Sequence, residues 1–518
     1  MTNITTFFLK SNYRYWNLLI ILGIVGFIIR LFFIPFQIPI TTDGIDYFAF
    51  SIVSSNEKIF PEGYISTNFG WPIFLSIIFS FSEHSDMLKM MDVQRIISSL
   101  LSTISIIPIF LILKKFFRKE VALVGVSLFI FDPRIIENSL LGITEPLFIF
   151  LITSVIFFVF FKKSKFLFIS FIFAAFASIV RYEGLLLFFP IIVAFIINRD
   201  FEKKSIIKLF LGISAFVIIL LIISSITYEK NDSFGILSSL VGGGKYFSNH
   251  IIAGNPDIDD EFFGNNVENR FIIFLQNSVE GYIKFLGWIM IPIQLIFVIT
   301  SIILISKKVS KSRCIFFTFF VFLSFSSLYA FGRGIQDPRY LYSLIPILCL
   351  FGCIFVDFLR KKKFGNKILL LIPIIIFTSV FFIDMNQSEL EFEDEFYLAS
   401  KFLVRNADGV NDYDRGKYLR PSIVEKNWPD MSLKEGMKIG ANEINVISSK
   451  GFTDLKEYLI HGKKFNLTHL IITNNEKGVL KNIFEKSDEF KFLKEVYKSE
   501  NAMIKIFEID YDEMVIHN

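Results

Sequence analysis

Apolar runs long enough to cross a bilayer recur through the first three quarters of this sequence, and nothing else in it constrains the fold as strongly. A bilayer's hydrocarbon core is crossed by an α-helix of about 20 residues. Apolar runs, several of them shorter than about 20 residues, fall at roughly 16–36, 93–113, 121–133, 143–161, 166–180, 185–198, 206–227, 285–306, 314–331, 340–359 and 368–384. They predict a polytopic α-helical membrane protein with about eleven membrane helices. Composition agrees: 53% of the residues are apolar, 20% are charged and 66 are phenylalanine. A soluble chain of this length has too little interior to hide that much apolar surface, so lipid must be part of its solvent. The run from Trp16 is too long for a signal-peptide core and lacks a small-residue cleavage site, so it reads as a permanent anchor.

The loops set an orientation. Segments 114–119, 162–165, 199–208, 307–313 and 360–367 together hold 20 Lys and Arg. The alternate short loops, 133–142, 181–184 and 332–339, hold only Arg134, Arg181, Arg333 and Arg339. Basic loops stay in the cytoplasm. The N-terminus, with Lys10 and Arg14, is therefore expected inside, in a multi-pass plasma-membrane protein. Segments 37–92 and 228–284 and the tail from about residue 385 are expected outside. From Met385 onward there are 19 Lys and Arg against 24 Asp and Glu, so the overall charge of +4 comes from the membrane part. That pattern is a topology signal and argues against a nucleic-acid partner.

The expected domains are a membrane domain, 1–384, and an extracytoplasmic α/β domain, 385–518. In the latter, Glu391 to Val404 reads as an amphipathic helix and Thr453–His461 as a second helix. Asn445–Ser448, Leu470–Thr473, Lys491–Tyr497 and Met503–Ile509 read as strands. The tail has no cysteine, and Cys314, Cys349 and Cys353 lie in or beside apolar runs, where buried small hydrophobes are expected.

Charges at a bilayer edge need a reason. Thr41-Thr42-Asp43-Gly44 follows the first apolar run. Asp43 could accept a proton from a hydroxyl, hold a divalent cation, or simply cap a helix beginning near Ile45. Thr144-Glu145-Pro146 opens another apolar run, where Glu145 could answer the helix dipole or face the same cavity. Arg181-Tyr182-Glu183-Gly184 breaks a nearly continuous apolar run, and Asp337-Pro338-Arg339-Tyr340 punctuates a later one. With Arg30, near the outer end of the first run, these arginines suit either topology anchoring or a lipid phosphate.

In chain order, several pieces resemble one known family. They are Arg30, Thr42-Asp43-Gly44, Gly70-Trp71-Pro72-Ile73-Phe74-Leu75, Gln94-Arg95-Ile96, Asn138-Ser139-Leu140 through Thr144-Glu145-Pro146-Leu147, Ala177 through Gly184, and Asp337-Pro338-Arg339-Tyr340-Leu341. Over residues 15–360 the chain resembles the GT-C superfamily of membrane glycosyltransferases. Within it the likeness is to the branch of dolichyl-phosphate-mannose protein mannosyltransferases and lipid A aminoarabinose transferases. The resemblance implies an inverting transfer of sugar from a polyprenyl-phosphate donor to a protein, glycolipid or glycan hydroxyl at the outer face. It makes Asp43 the general base. Glu145 becomes an electrostatic partner, or with Asp43 a ligand of a divalent cation such as Mg or Mn. Arg30, Arg181, Tyr182 and Arg339 would bind the lipid phosphate.

The sequence also departs from family patterns. It has no Trp-Trp-Asp motif in the tail, which disfavours an oligosaccharyltransferase. Gly44 stands where an acidic neighbour of Asp43 is common, and Glu145 replaces a frequent Asp. Two other classes compete, a lipid-linked-sugar transporter or flippase and a non-catalytic membrane assembly protein. A transporter usually places its charges at the midplane between repeated halves, and no repeat is visible.

Overall fold

The computed structural model describes residues 13–41, 43–58, 60–61, 68–82, 86–160, 164–198, 203–231, 235–252, 270–304, 311–385, 388–412, 417–426, 428, 444–476, 478–501 and 503–516. In the N-terminal three quarters the helices are α1 (Tyr13–Phe33), α2 (Asp43–Glu57), α3 (Gly70–Phe79), α4 (Met87–Ile104), α5 (Ile106–Phe116), α6 (Lys119–Ile130), α7 (Pro133–Leu140), α8 (Glu145–Val159), α9 (Ser164–Val180), α10 (Phe188–Asn198), α11 (Lys203–Asn231), α12 (Ile236–Tyr246), α13 (Arg270–Met290), α14 (Gln294–Leu304), α15 (Lys311–Gly332), α16 (Ile345–Leu359) and α17 (Leu371–Met385). Helices α18 (Ser388–Asn406), α19 (Leu419–Lys426), α20 (Leu455–Lys463) and α21 (Tyr511–Ile516) follow. Among them lie strands β1 (Gly409–Asn411), β2 (Asn445–Ile447), β3 (His469–Thr473), β4 (Leu493–Lys498) and β5 (Ile504–Ile509).

The chain divides into two compact units. The first holds residues 1–34, 62–74 and 95–384; the second holds 35–61, 75–94 and 385–518. Thus much of the first expected outer segment groups with the tail.

Within the first unit the described residues of the expected apolar runs are largely helical. Among the described residues, six helical stretches are long and apolar enough to cross a membrane: Tyr13–Phe33, Met87–Phe116, Ser205–Glu229, Lys311–Gly332, Pro338–Lys362 and Gly365–Met385. A seventh is reached if α13 and α14 count as one span. The run expected as a single helix over 285–306 starts instead at Arg270 and bends by 111° between α13 and α14. Pro292 lies in that break and has no backbone N–H to continue a helical ladder. Glu145–Val159, Phe166–Val180 and Tyr182–Ile197 are apolar but shorter.

Helix α1 shows how sequence sets burial. Leu19, Leu22, Gly23, Gly26, Arg30 and Phe33 are buried along one stripe, whereas Ile20, Ile21, Ile24, Ile28 and Phe32 are exposed. Spacings of three and four residues put the first set on one helix face. Exposed isoleucine and phenylalanine on the other face suit a lipid solvent.

In the second unit the sheet runs β2-β1-β3-β5-β4. β1 is parallel to both β2 and β3, and β5 is antiparallel to β3 and β4. Successive residues of β3 face opposite sides. Ile471 enters a core with Phe396, Ala399 and Leu403 of α18, while Leu470 and Ile472 enter another with Tyr458 and Leu459 of α20. The expected helices and strands of the tail therefore appear with shifted ends. β1 was not expected. It is three residues long, and the Asn411 side chain continues its pairing, accepting from Ile471 N at 2.7 Å and donating to Ile471 O at 2.9 Å.

Candidate active site

In the first unit, Arg181 ends α9 in extended backbone and turns the chain into a 3-10 segment, Tyr182–Leu187. Its guanidinium lies between two carboxylates. Nε and Nη2 donate to Glu183, the latter at 2.7 Å, and Nη1 donates to Glu145 and, at 3.3 Å, to the Thr144 hydroxyl. Both carboxylate side chains are 4% exposed and the arginine side chain 11%. The rings of Phe148 and Tyr340 flank the guanidinium at 5.9 and 5.5 Å. Counting formal charges, this buried cluster carries about −1. Ions are costly to bury and stay charged only when paired and hydrogen-bonded.

Small residues let these elements meet. A Cβ on Gly184 would lie 2.4 Å from the Ala177 carbonyl carbon and from Ser178 N, so the turn packs directly on the last turn of α9. A Cβ on Gly70 would lie 2.7 Å from Val180 N, immediately before Arg181. Trp71, fully buried, donates from Nε1 to Gly142 O at 2.9 Å, just ahead of Thr144 and Glu145. The Gly70-Trp71 pair thus abuts both arms of the ion cluster. Gly70→Ala is expected to destabilise the protein by about 1–3 kcal/mol, because the methyl meets backbone rather than a movable side chain. Thermal unfolding in detergent measures this; an unchanged transition would contradict the packing described.

The other expected site residues separate. Arg30 is wholly buried and donates to Gly26 O, Ile130 O, Ser102 Oγ and Ser139 Oγ at 2.9–3.1 Å. It staples α1 to α4, α6 and α7, and presents no face to a phosphate. Its expected place among the phosphate ligands is therefore corrected to a packing role. Arg339 is accessible, with 29% of its side chain exposed, and it forks onto Asp337 through Nη2 at 2.6 Å and Nε at 2.7 Å. Asp337 also caps the 3-10 segment Pro338–Leu344, which carries Tyr340.

Asp43 belongs to the second unit. It is exposed and is the first residue of α2, and Asp46 shares the first turn of that helix. Gly44, next to it, is buried, and its carbonyl accepts from the Gln94 amide at 3.1 Å. Thr42, the alternative cap, lies outside the described residues.

Glu145 does not sit in a ready cation cage. Its two oxygens face the Arg181 guanidinium and the Thr144 hydroxyl. Among the described residues no three His, Cys, Asp or Glu side chains converge. Mg and Mn want several oxygen ligands, and the described residues around Glu145 do not assemble such a set. Cys349 and Cys353 are free thiols and wholly buried, as expected of packing residues.

The motifs in the sequence include Glu183, Thr144, Tyr340 and Trp71 but give none of them a role at this site. The signal for Trp71 was weak but present: a bulky aromatic beside Gly and Pro, opening an apolar helix.

Comparison with known proteins adds to this geometry. Residues 87–227 match the family profile described as dolichyl-phosphate-mannose-protein mannosyltransferase. No curated protein sequence matches the chain. Among solved structures, the Archaeoglobus fulgidus oligosaccharyltransferase in its apo form has a TM-score of 0.56 and 10% identity, covering 89% of this chain and 70% of that one. The same protein with Zn and sulfate has a TM-score of 0.55 and 11% identity, covering 96% and 73%. The archaeal oligosaccharyltransferase AglB from that organism, with an inhibitory peptide and a dolichol-phosphate, has a TM-score of 0.54 and 10% identity, covering 89% and 69%. At such identities the likeness is one of fold.

Proposed function

We propose that the chain is a membrane glycosyltransferase of the GT-C superfamily and that it moves a sugar from a polyprenyl-phosphate carrier to a hydroxyl of a protein, glycolipid or glycan at the outer membrane face. The observation that carries this reading is the buried Glu145–Arg181–Glu183 cluster, flanked by the Tyr340 ring, with the accessible Arg339 next to Tyr340 in sequence. An apolar bundle gains little stability from burying three charges, so a functional demand accounts for them better than packing does.

Asp43 accepts the proton of the acceptor hydroxyl as its oxygen attacks the anomeric carbon. The bond from that carbon to the phosphate oxygen breaks, and polyprenyl phosphate leaves with the electron pair. Attack opposite the leaving group inverts the anomeric centre. Arg339 and Arg181 stabilise the phosphate charge as it develops, and the Tyr182 hydroxyl orients it. Glu145 and Glu183 hold the guanidinium of Arg181 in one plane, a positioning duty rather than proton transfer. No step is assigned to a metal.

The test supplies membranes containing the protein with polyprenyl-phosphate sugars labelled in the sugar. Label is expected to move from the lipid extract into a non-extractable or more polar acceptor. A preparation that consumes none of a panel of such donors would overturn the reading. Arg339→Ala is expected to raise the donor KM by about 10–100-fold, the loss of one charged hydrogen bond, with kcat less affected. An unchanged donor KM would remove Arg339 from the phosphate site.

A further inference from the structure

The helix that carries Asp43 is held from two sides within the second unit. On one side, Ile40, Ile45, Phe48 and Ile52 share a core with Phe79 and with Met87, Met90 and Met91 of α4. On the other side stands the tail. Asp46, three residues after Asp43, pairs with Arg420 at the start of α19, with Nη1 2.5 Å from Oδ1. Val424 of α19 enters the same core, and the Trp428 ring lies 6.0 Å from that of Phe48.

Helix α19 in turn is fixed to the tail. Leu419 and Ile423 pack with Ile471, Ile504 and Ile506 of the sheet. Lys426 Nζ donates to Val404 O of α18 at 3.0 Å, and Lys401 of α18 pairs with Glu425 at 2.8 Å. A continuous set of contacts therefore runs from the sheet through α19 to the first turn of α2.

We propose that Arg420 and Trp428 are positioning residues for Asp43, so that the C-terminal domain serves the transfer reaction of its own chain by fixing the rotation of α2. The inference rests on the reading of Asp43 as general base. An α-helix turns by about 100° per residue, so a small rotation swings a side chain far off its target. The Arg420–Asp46 pair is partly exposed, at 31% and 40%, and such pairs contribute little to global stability. Misplacing a reacting group by about 1 Å can cost about 100-fold in rate. The pair is thus suited to geometry more than to stability.

Two readouts on the full-length protein in membranes test this. One is hydrogen–deuterium exchange over residues 43–57; the other is transfer of labelled mannose from dolichyl-phosphate mannose at varied donor concentration. Arg420→Ala and Trp428→Ala are expected to raise exchange over α2 while β3 and α18 keep their protection. They are expected to lower kcat by about 10–100-fold at unchanged donor KM. Exchanging the charges, Asp46→Arg with Arg420→Asp, is expected to restore both. Unchanged exchange over α2, or a kcat loss that the exchanged pair leaves in place, overturns the proposal. Asp43→Asn separates the two ideas. If it is silent, the base reading falls and the positioning role falls with it. If it is inactive while Arg420→Ala is silent, only the positioning role falls. The exchange readout decides the matter by itself should this donor not be used.

Discussion

Asp43→Asn in the full-length protein is expected to lower sugar transfer by about 10²–10⁴-fold, the contribution of a positioned general base. The amide is nearly isosteric but cannot take a proton from an acceptor hydroxyl. Stability is expected to hold. Asp43 is exposed at the start of α2, and a carboxylate answering a helix dipole at a surface contributes about 0.3–1 kcal/mol. Asp46 shares that first turn and remains. The two readings of Asp43 therefore separate by magnitude. A plain helix-capping role gives a small loss of stability and an unchanged rate; the catalytic role gives an unchanged fold and a large loss of rate. Transfer at the wild-type rate by Asp43→Asn protein would remove Asp43 from the chemistry.

Arg181→Ala is expected to be the most damaging change to the membrane unit. It strands Glu145 and Glu183, whose side chains are both 4% exposed, in an apolar bundle. Breaking a buried ion pair by removing one partner costs about 3–5 kcal/mol, because the remaining charge is left uncompensated. Here two are left. The variant is expected to accumulate poorly and to show no transfer. Adding Glu183→Gln removes one stranded charge and is expected to return part of the stability, while transfer stays lost. Arg181→Lys keeps the charge but cannot fork onto both carboxylates, and is expected to fold with reduced transfer. Wild-type transfer by Arg181→Lys would reduce the arginine to a counter-ion.

The membrane helices were legible because lipid imposes a crude, local rule on sequence: long apolar runs, ended by charge. The tail's strands were legible for a similar reason, since Leu470, Ile471 and Ile472 are apolar at consecutive positions between polar flanks. What escaped was long-range. Nothing local says that Glu145 and Glu183 share Arg181, or that residues 35–61 and 75–94 group with the tail. Arg30 shows a signal that was present but unread. It lies on the same stripe as Gly23 and Gly26, the face of α1 that packs closely, whereas a phosphate-binding arginine has to leave that face. The bend between α13 and α14 was marked by Pro292 inside an apolar run, and hydropathy alone read across it. The site residues named from motifs fell into two groups by environment. Glu145, Arg181 and Tyr182 converge; Arg339 stands beside them in sequence logic only through Tyr340, which follows it and flanks Arg181.

Transfer from a polyprenyl-phosphate carrier is tested by following both halves of the donor. Vesicles holding the full-length protein would be given a polyprenyl-phosphate sugar labelled separately in sugar and lipid, with acceptor fractions from the same membranes. The expected result is one molecule of polyprenyl phosphate released for each sugar that reaches an acceptor, with the anomeric centre inverted. Intact lipid-linked sugar accumulating in the opposite leaflet, with no release of polyprenyl phosphate, would contradict the account and mark the protein as a transporter.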